Sequence, residues 1–512
     1  MDLQISRISG LAFLFCLCAG SIAAQDRAAI VGAIFDQSHS VIEGAIVQIH
    51  SEQTGLDRST QSADTGFYRI ASLPIGVYRL TVSKPGFQAK RISGIVLEVS
   101  QTRTLDVTLD ISELSAAVDV TADLVTLNQT SADLSKVVTN QELRNLPVNG
   151  RDWNAFLLLA PGAVNSGDGS QRSIRFVGRS KDDNNFTFDG VDATAVKEGP
   201  QMVALRTVIS NDAVAEFKVN AALYTAEYGF YFGGQANFVS KSGTNAFHGG
   251  LYEYLRNDRF DARRFIDAAK PAFRLNQFGG TVGGPVARNR TFFFTSFEGL
   301  RQRLGQTAIG FVPSAALRNR VAAASPDLRP VVEYYPAGRR SINADVDEVS
   351  VIRSQKWTEN SGMFRLDHRF SDRLSLYTRY NVAQGEIRTP QGIFDFSAFN
   401  SLQTLATHNA IVQLQYIFSP SMLNELKLGF NRASNARATN SPLPESIGVT
   451  GLAGIPGKSG GGDPGNTYSI IDNFSWTRGR HTLKLAPKSA DCKSTYTSSE
   501  AGALPIPRSR PL

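Results

Sequence analysis

Over its C-terminal half the chain alternates apolar and polar residues, and it never produces an apolar run long enough for a membrane helix. In MFRLDHRF, Phe364, Leu366, His368 and Phe370 share one face, and Arg365, Asp367 and Arg369 share the other. In LSLYTRY, Leu374, Leu376 and Tyr380 lie together. In NAIVQLQYIF, Ala410, Val412, Leu414, Tyr416 and Phe418 alternate against Gln413 and Gln415. NELKLGF sets Leu426, Leu428 and Phe430 against Glu425 and Lys427. A period of two is the signature of a strand with two unlike faces. Strands of ~9–11 residues with an apolar outer and a polar inner face suit a lipid-exposed barrel, which pairs every backbone N–H and C=O inside hydrocarbon. A soluble β-sandwich alternates in the same way, so periodicity alone leaves both architectures open. Aromatic residues near the strand ends are expected to form interfacial girdles.

The net charge of +7 is spread along the chain rather than gathered on one face, which argues against a nucleic-acid binder. Residues 1–24 read as a secretory signal peptide: Arg7 precedes the apolar stretch Ile8–Ala19, and Ser21-Ile22-Ala23 offers a small-x-small cleavage site. Phe15 and Leu17 stand where a lipoprotein signal needs small residues before Cys16 or Cys18. Beyond the signal only Cys492 remains, so no internal disulfide or cysteine-based metal site is expected.

Between Ala28 and Leu109 short alternating segments are separated by turns: AAIVGAIFD, GAIVQIHS, GFYRIASL, GVYRLTVS and TRTLDVTLD. Gly66, Gly76 and Gly86 punctuate them, with Pro74 and Pro85 beside two of these glycines. Such regular short strands predict an all-β sandwich over residues 25–112. The order Gly32 and Asp36, Gly44-Ala45-Ile46-Val47, Thr65-Gly66-Phe67-Tyr68, Leu73-Pro74-Ile75-Gly76-Val77-Tyr78 and Gly86-Phe87 resembles the carboxypeptidase regulatory-like family. That resemblance implies a carbohydrate-binding-like fold and carries no enzymatic claim. Residues 113–124 read as a linker holding one extended piece, Val118-Asp119-Val120-Thr121-Ala122. It is either the sandwich's last strand or a segment able to add to a partner's sheet.

From Gln141 to Asn257 the pattern changes to a small α/β module with tight turns. Asn185-Phe186-Thr187-Phe188 stops at Asp189-Gly190, a hairpin signal. Ala215-Glu216-Phe217-Lys218-Val219 alternates, and Gly233-Gly234 introduces the strand Ala236-Asn237-Phe238-Val239. NNFTFDGVD and GGQANFVSKSGTN, in this order, resemble the plug domain of TonB-dependent outer-membrane receptors, here over residues 125–244. LRNDRFDARRF and LNQFGGTVGGPVARNRTFFFTSFEG are similar to the first barrel hairpins of the Oar-like branch of that family. The resemblance implies that Val118–Ala122 is a candidate TonB box and that Asn185, Phe186, Asp189 and Gly190 form the plug hairpin. It also implies that TonB, outer-membrane lipid and an extracellular substrate, a glycan or a peptide by analogy, are the partners. Uptake would draw on the inner-membrane proton gradient.

About nine strands are expected from Phe247 to Leu485, fewer than the ~22 of a plug-bearing transporter barrel. The fold expected is therefore mainly β: an N-terminal β-sandwich, a small α/β plug, and a partial, open antiparallel outer-membrane β-barrel over residues 245–486. Long loops are expected at Phe311–Lys356 and Arg432–Asn466. WTRGRHTLKLA resembles a family strand, but alternation stops near Pro487. Residues 487–512 are then expected to be a tail without strands, and the chain a truncated form.

Motifs for catalysis fail on spacing. In GLAGIPGKSGG, Gly451 lies one residue too early for a phosphate-binding loop. KDDNNFTFDG places Thr187 where a calcium loop needs glycine. Lys241-Ser242-Gly243 has no accompanying nucleophile motif, and the six histidines are scattered. The expectation is a receptor of the outer membrane rather than an enzyme, without cofactor or metal. A surface adhesin and a non-functional gene fragment are the alternatives.

Overall fold

The computed structural model describes residues 27–111, 118–121 and 132–498 apart from 149–150, 152, 168–172, 181–182, 195–207, 225–231, 264, 266, 268, 463, 479–480 and 495–496. The signal peptide expected at residues 1–24 lies outside this range.

The N-terminal unit is the expected sandwich. Its strands are β1 (Ala28–Phe35), β2 (Ile46–Ser51), β3 (Leu56–Gln61), β4 (Phe67–Leu73), β5 (Gly76–Ser83), β6 (Lys90–Leu97), β7 (Thr102–Thr104), β8 (Val107–Thr108) and β9 (Val118–Thr121). One sheet runs β4–β1–β7, with β8 also on β1; the other runs β3–β2–β5–β6–β9. Alternate residues of β5, Tyr78, Leu80 and Val82, meet Ile30, Val47 and Ile49 in a core of their own. β9 extends the second sheet beyond the residue at which the sequence reading closed the sandwich. It lies parallel to β6, Lys90 opposite Val118 and Ser93 opposite Thr121. The stretch read as linker thus contributes a sandwich strand.

The middle module opens with β10 (Leu134–Thr139) and the helix Asn140–Asn145. Thr139 caps that helix, and the Glu142 side chain reaches back in a capping box. The strands β11 (Ala163–Asn165), β12 (Ile174–Phe176), β13 (Asn185–Phe188), β14 (Val191–Asp192), β15 (Val214–Ala222) and β16 (Gln235–Ser240) follow. Its main sheet runs β10–β15–β16–β13–β14. One face carries Phe186, Phe188, Phe217, Val219 and Phe238 into the module core. Trp153 meets Phe238 edge-on at 4.8 Å, and Phe217 stacks on Phe238 at the same distance. The opposite face is polar: Asn185 bonds Gln235 at 2.9 Å, and Lys218 pairs with Asp133 at 2.6 Å.

The third unit is a 13-stranded antiparallel sheet curved around the module. Its strands are β17 (His248–Asn257), β18 (Phe273–Ala287), β19 (Thr291–Pro313), β20 (Arg340–Ser341), β21 (Val346–Arg369), β22 (Leu374–Pro390) and β23 (Asn400–Ser419). β24 (Met422–Asn440), β25 (Ser459–Gly462), β26 (Gly465–Arg478), β27 (His481–Leu485), β28 (Lys488–Ser494) and β29 (Thr497–Ser498) complete it. The strands alternate as the sequence requires: Gln413 and Gln415 are 1% and 2% exposed, whereas Val412 and Leu414 are 42% and 39% exposed. On the outer face the register aligns Phe364, Tyr380, Ala410, Phe430 and Tyr468 in one row. Leu374, Tyr416, Asn424 and Phe474 align in another. Between them run rows rich in leucine, such as Leu376, Leu414 and Leu426. Ala410 to Tyr416 covers about 20 Å of strand, or about 14 Å of height at a tilt of ~45°, within the height of a bilayer-spanning apolar band. Aromatic rows thus flank an aliphatic belt, as expected of girdles.

Three expectations need correction. The strands are longer than ~9–11 residues: β19 has 23 and β21 has 24. Their extra length continues past the apolar band. The two long loops are shorter accordingly, because β19 runs to Pro313 and β24 to Asn440. Finally, the tail does carry strands. β27 pairs with Phe474–Arg478 and β28 with Gly465–Ile471, so the two together follow β26. An unpaired strand edge offers backbone donors and acceptors to any extended segment, whether or not that segment alternates. Among the described residues β17 pairs only with β18, so the sheet is open, as expected.

Candidate functional site

The site is the contact between the plug-like module and the inner face of the sheet. The hairpin β13–β14 turns at Asp189 and Gly190, both with positive φ (53° and 79°), a conformation that Asp and Gly tolerate. The turn presses against β24 where Gly429 leaves room: a Cβ there would stand 2.4 Å from Val191. The hairpin so placed presents Asp189, fully buried, to the wall.

Cations from two strands converge on that carboxylate. Arg379 Nε on β22 donates to Oδ2 at 2.7 Å, and Arg365 on β21 lies 3.8 Å from Oδ1. Ser240 donates through its backbone N–H and its hydroxyl, each at 2.9 Å. Arg379 also donates to Asn409 Oδ1 at 2.6 Å and packs 3.8 Å from the Phe188 ring centroid. Arg365 donates through two nitrogens to Asp367, at 2.9 and 2.7 Å, and covers the Tyr377 ring. Lys427 Nζ reaches the Asp189 carbonyl at 3.4 Å. Burial pushes the Asp189 carboxyl up, but Arg379 and Arg365 outweigh it and hold it below the ordinary carboxylate range.

A second contact lies across the module. Arg151 holds Asp212 at 2.5 Å and Glu298, on β19, at 3.2 Å. Its guanidinium sits 4.7 and 4.5 Å from the ring centroids of Tyr252 and Tyr254 on β17. Ser210, Tyr252 and Gln277 all donate to Glu298, at 2.8, 2.6 and 2.8 Å.

The sandwich closes the end of the sheet that carries the short turns. The end of β4 inserts Ser72 beside the lumen-facing Gln415 and Glu425. Gln415 donates to Ser72 Oγ at 2.8 Å, and Ser72 donates to Glu425. Arg58 donates to Gln415 at 3.2 Å, and Arg369 to the Gly55 carbonyl at 2.9 Å. A cavity of about 150 Å³ at this seam is lined by Arg58, Arg365, His368 and Gln415 among others. The sandwich also touches the module, where the Val99 N–H donates to Glu216 on β15. Burial, with Glu98 adding to it, pushes the Glu216 carboxyl up to about 8.

Asp189, at the turn with Gly190, meets the wall, whereas Asn185 bonds Gln235 and Phe186 packs in the module core. Val118, Asp119, Val120 and Thr121 lie apart from it, on β9, and Ala122 is outside the described residues. Arg144 stands 3.7 Å from Asp212 near the second contact, Arg175 lies on β12, and Arg172 is outside the described residues. Arg365 and Arg379 were not singled out from sequence. The available signal was an arginine on the polar side of an otherwise amphipathic strand. No group of three or more His, Cys, Asp or Glu residues able to hold a metal is found among the described residues.

The described residues thus form an open barrel-like sheet, apolar outside and polar inside, with a module held in it and a sandwich beneath it. The outer membrane beta barrel domain family matches residues 239–327 and 319–486, and the carboxypeptidase regulatory-like domain family matches residues 29–110. The chain is a homologue of the TonB-dependent transporter Oar of Myxococcus xanthus, 25% identical over 311 residues. That alignment takes in 57% of this chain and 29% of the relative, so the chain spans well under half of the relative's length. Similar solved structures include the outer membrane transporter YddB from Escherichia coli, with 12% identity, TM-score 0.49, and coverage of 67% of this chain and 45% of that one. The siderophore receptor PirA from Acinetobacter baumannii has 14% identity, TM-score 0.46, and coverage of 72% and 49%. These three proteins are a TonB-dependent transporter, an outer membrane transporter and a siderophore receptor.

Replacing Asp189 by Asn leaves Arg379 buried beside a neutral partner. The expected loss is about 3–5 kcal/mol of module stability, read as a lower urea midpoint for Trp153 fluorescence. Because the Asp189 pKa is depressed, its contribution is complete above the ordinary carboxylate value of ~3.9 and disappears only as pH falls through the lower folded value. A midpoint unchanged by the substitution contradicts this assignment.

Glu216 carries the opposite sign. Its raised pKa means that its contribution is complete below the ordinary value and is lost as pH rises through about 8. Hydrogen exchange at Val99 should therefore accelerate from pH 7 to pH 9, after correction for intrinsic rates, and Glu216→Gln should remove that acceleration. A corrected rate that stays flat in the native chain rules the coupling out.

Proposed function

We propose that the chain forms the receptor portion of an outer-membrane uptake protein, energised from the inner-membrane proton gradient by a TonB-type partner acting on Val118–Ala122. The observation that carries this reading is the Asp189–Arg379–Arg365 cluster. It fastens the module to the wall through buried charges and hydrogen bonds, beside the apolar contacts of Val191 with Tyr377 and Ile411 and of the module core with Phe294 and Met363. Polar contacts of this kind can be exchanged for water when the module shifts, whereas bared apolar surface would resist the movement. The apolar outer rows meet lipid. The open edges at β17 and β27 require further strands in hydrocarbon, because each unpaired backbone group there costs several kcal/mol.

The end with long connections is the extracellular one by the usual asymmetry of such sheets. There the loops after β19, β22 and β24 share an apolar cluster that includes Val312, Tyr335, Phe394, Phe399 and Ile455. Beside them a cavity of about 650 Å³ is lined by Arg256, Asp258, Asp261, Asp267, Lys270 and Thr307, among others. That polar lining suits a hydrogen-bonding substrate such as a glycan or a peptide.

The test is energised uptake by a protein whose sheet is closed by its further strands. Deleting Val118–Ala122 should leave surface binding intact and abolish uptake. Undiminished uptake after the deletion refutes the assignment of this segment.

A further inference from the structure

The seam between the sandwich and the mouth of the sheet collects positive charge from both bodies. Among the described residues, five arginines line its cavity of about 150 Å³. Arg27 and Arg58 belong to the sandwich, Arg290 to the turn between β18 and β19, and Arg365 and Arg369 to β21. The carboxylates in the described lining are Asp367 and Asp372. Arg365 already holds Asp367 through two nitrogens, and Asp372 is exposed. Glu425, 3.8 Å from Arg27, is not part of the lining, and its Oε1 also accepts from Ser72, Gln413 and Gln415. Four guanidinium groups therefore line the cavity with little counter-charge.

The fit of Arg58 is a separate sign of a missing acceptor. One terminal nitrogen donates to Gln415 at 3.2 Å, but Nε is shut off from solvent and meets no acceptor among the described residues. A buried donor left without an acceptor is costly, more so on a charged group. Burial, with Arg27 and Arg369 adding to it, pulls the Arg58 guanidinium down to about 10, against Tyr78 and Glu425. Arg369 is held by the carbonyls of Gly55 and Asn289 at 2.9 and 2.6 Å, and Arg290 by the Arg369 carbonyl at 3.3 Å. These backbone acceptors fix the guanidinium groups in place without neutralising them.

We propose that the seam is a binding site for a phosphate oxyanion, held between Arg27 and Arg58 of the sandwich and Arg290 and Arg369 of the sheet, and that the bound anion clamps the two bodies together. Guanidinium forks match the oxygens of phosphate, and a tetrahedral group offers oxygens to both sides of the seam at once, whereas a planar carboxylate fills one fork. A water needs ~10–15 Å³ of such space, so the cavity has room for one hydrated phosphate group. Free phosphate and a phospholipid headgroup present the same oxygens. The seam has its own reporter: the Asn245 N–H, at the start of the sheet, donates across it to the Gln53 carbonyl of the sandwich at 2.7 Å.

The experiment titrates inorganic phosphate into the full chain in maltoside micelles at fixed ionic strength, by calorimetry. Arg58→Gln should weaken binding about tenfold or more. Arg58→Lys, which keeps the charge but lacks Nε, should weaken it by a smaller factor. Arg329→Gln, on an exposed helix after β19, should leave it unchanged. At phosphate about ten times the Kd, hydrogen exchange at Asn245 should slow about tenfold in the native chain, since opening the seam must release the anion, and should not slow in Arg58→Gln. Phosphatidylglycerol added to the micelles without phosphate separates the sources. Slowing at Asn245 in the native chain but not in Arg58→Gln assigns the headgroup, and slowing only with inorganic phosphate assigns the free anion; both support the site. A folded native chain that binds no phosphate, or that binds it no better than Arg58→Gln, overturns the site. Should Arg58→Gln fail to fold, Arg58→Lys decides, and an affinity equal to the native one overturns it. Phosphate binding that leaves exchange at Asn245 unchanged overturns the clamp.

Discussion

Each long strand of the sheet reverses its environment at every residue, and the rest of the molecule depends on that reversal. A backbone in hydrocarbon must satisfy its own donors and acceptors, and a paired sheet does so. The pleat then sends alternate side chains to opposite sides. The outer side carries Val412, Leu414 and Leu428, and the inner side carries Gln413, Gln415 and Lys427. A lumen lined in this way cannot hold an apolar body, because its amides and charges would lose their partners. It can hold one that presents a carboxylate, and Asp189 does so at the tip of a hairpin.

The module is built for that enclosure. Its sheet keeps Phe186, Phe188, Phe217 and Phe238 for its own core and turns Asn185, Thr187 and Lys218 outward. Phe294 and Met363 of the wall join that core, and Val191 packs with Tyr377 and Ile411, so the attachment is apolar as well as polar. The sandwich has a closed core, while Ser72, Arg58 and Val99 make polar contacts to the barrel and the module.

Much of this could be read from the sequence, because alternation and turn chemistry are local. The sandwich strands, the Asp189–Gly190 hairpin and the two-faced strands all follow from neighbouring residues. What could not be read depends on distant pairing. Arg365 and Arg379 stand among other inward polar residues, and only the fold brings them to Asp189. β9 looked like linker because four residues with no neighbouring turn signal do not announce a parallel partner 28 residues earlier in the chain. β28 was missed because clean alternation stops near Pro487, and its pairing with Gly465–Ile471 is not written in its own pattern. Strand lengths were underestimated for a related reason: beyond the apolar band β19 and β21 lose clean alternation yet stay paired through a register that spans Thr291 to Pro313.

The central claim is that one face of the sheet meets lipid while the other encloses the module, and a nitroxide scan along β23 tests it most directly. Single cysteines at positions 410 to 418 would be spin-labelled in the protein reconstituted in lipid vesicles. Collision with dissolved oxygen and with a water-soluble nickel complex would then be measured at each position. The account predicts a period of two, with labels at 412, 414 and 416 accessible to oxygen and protected from nickel, and labels at 413 and 415 protected from oxygen. Outward positions that collide freely with nickel, as on a soluble sandwich, would contradict it.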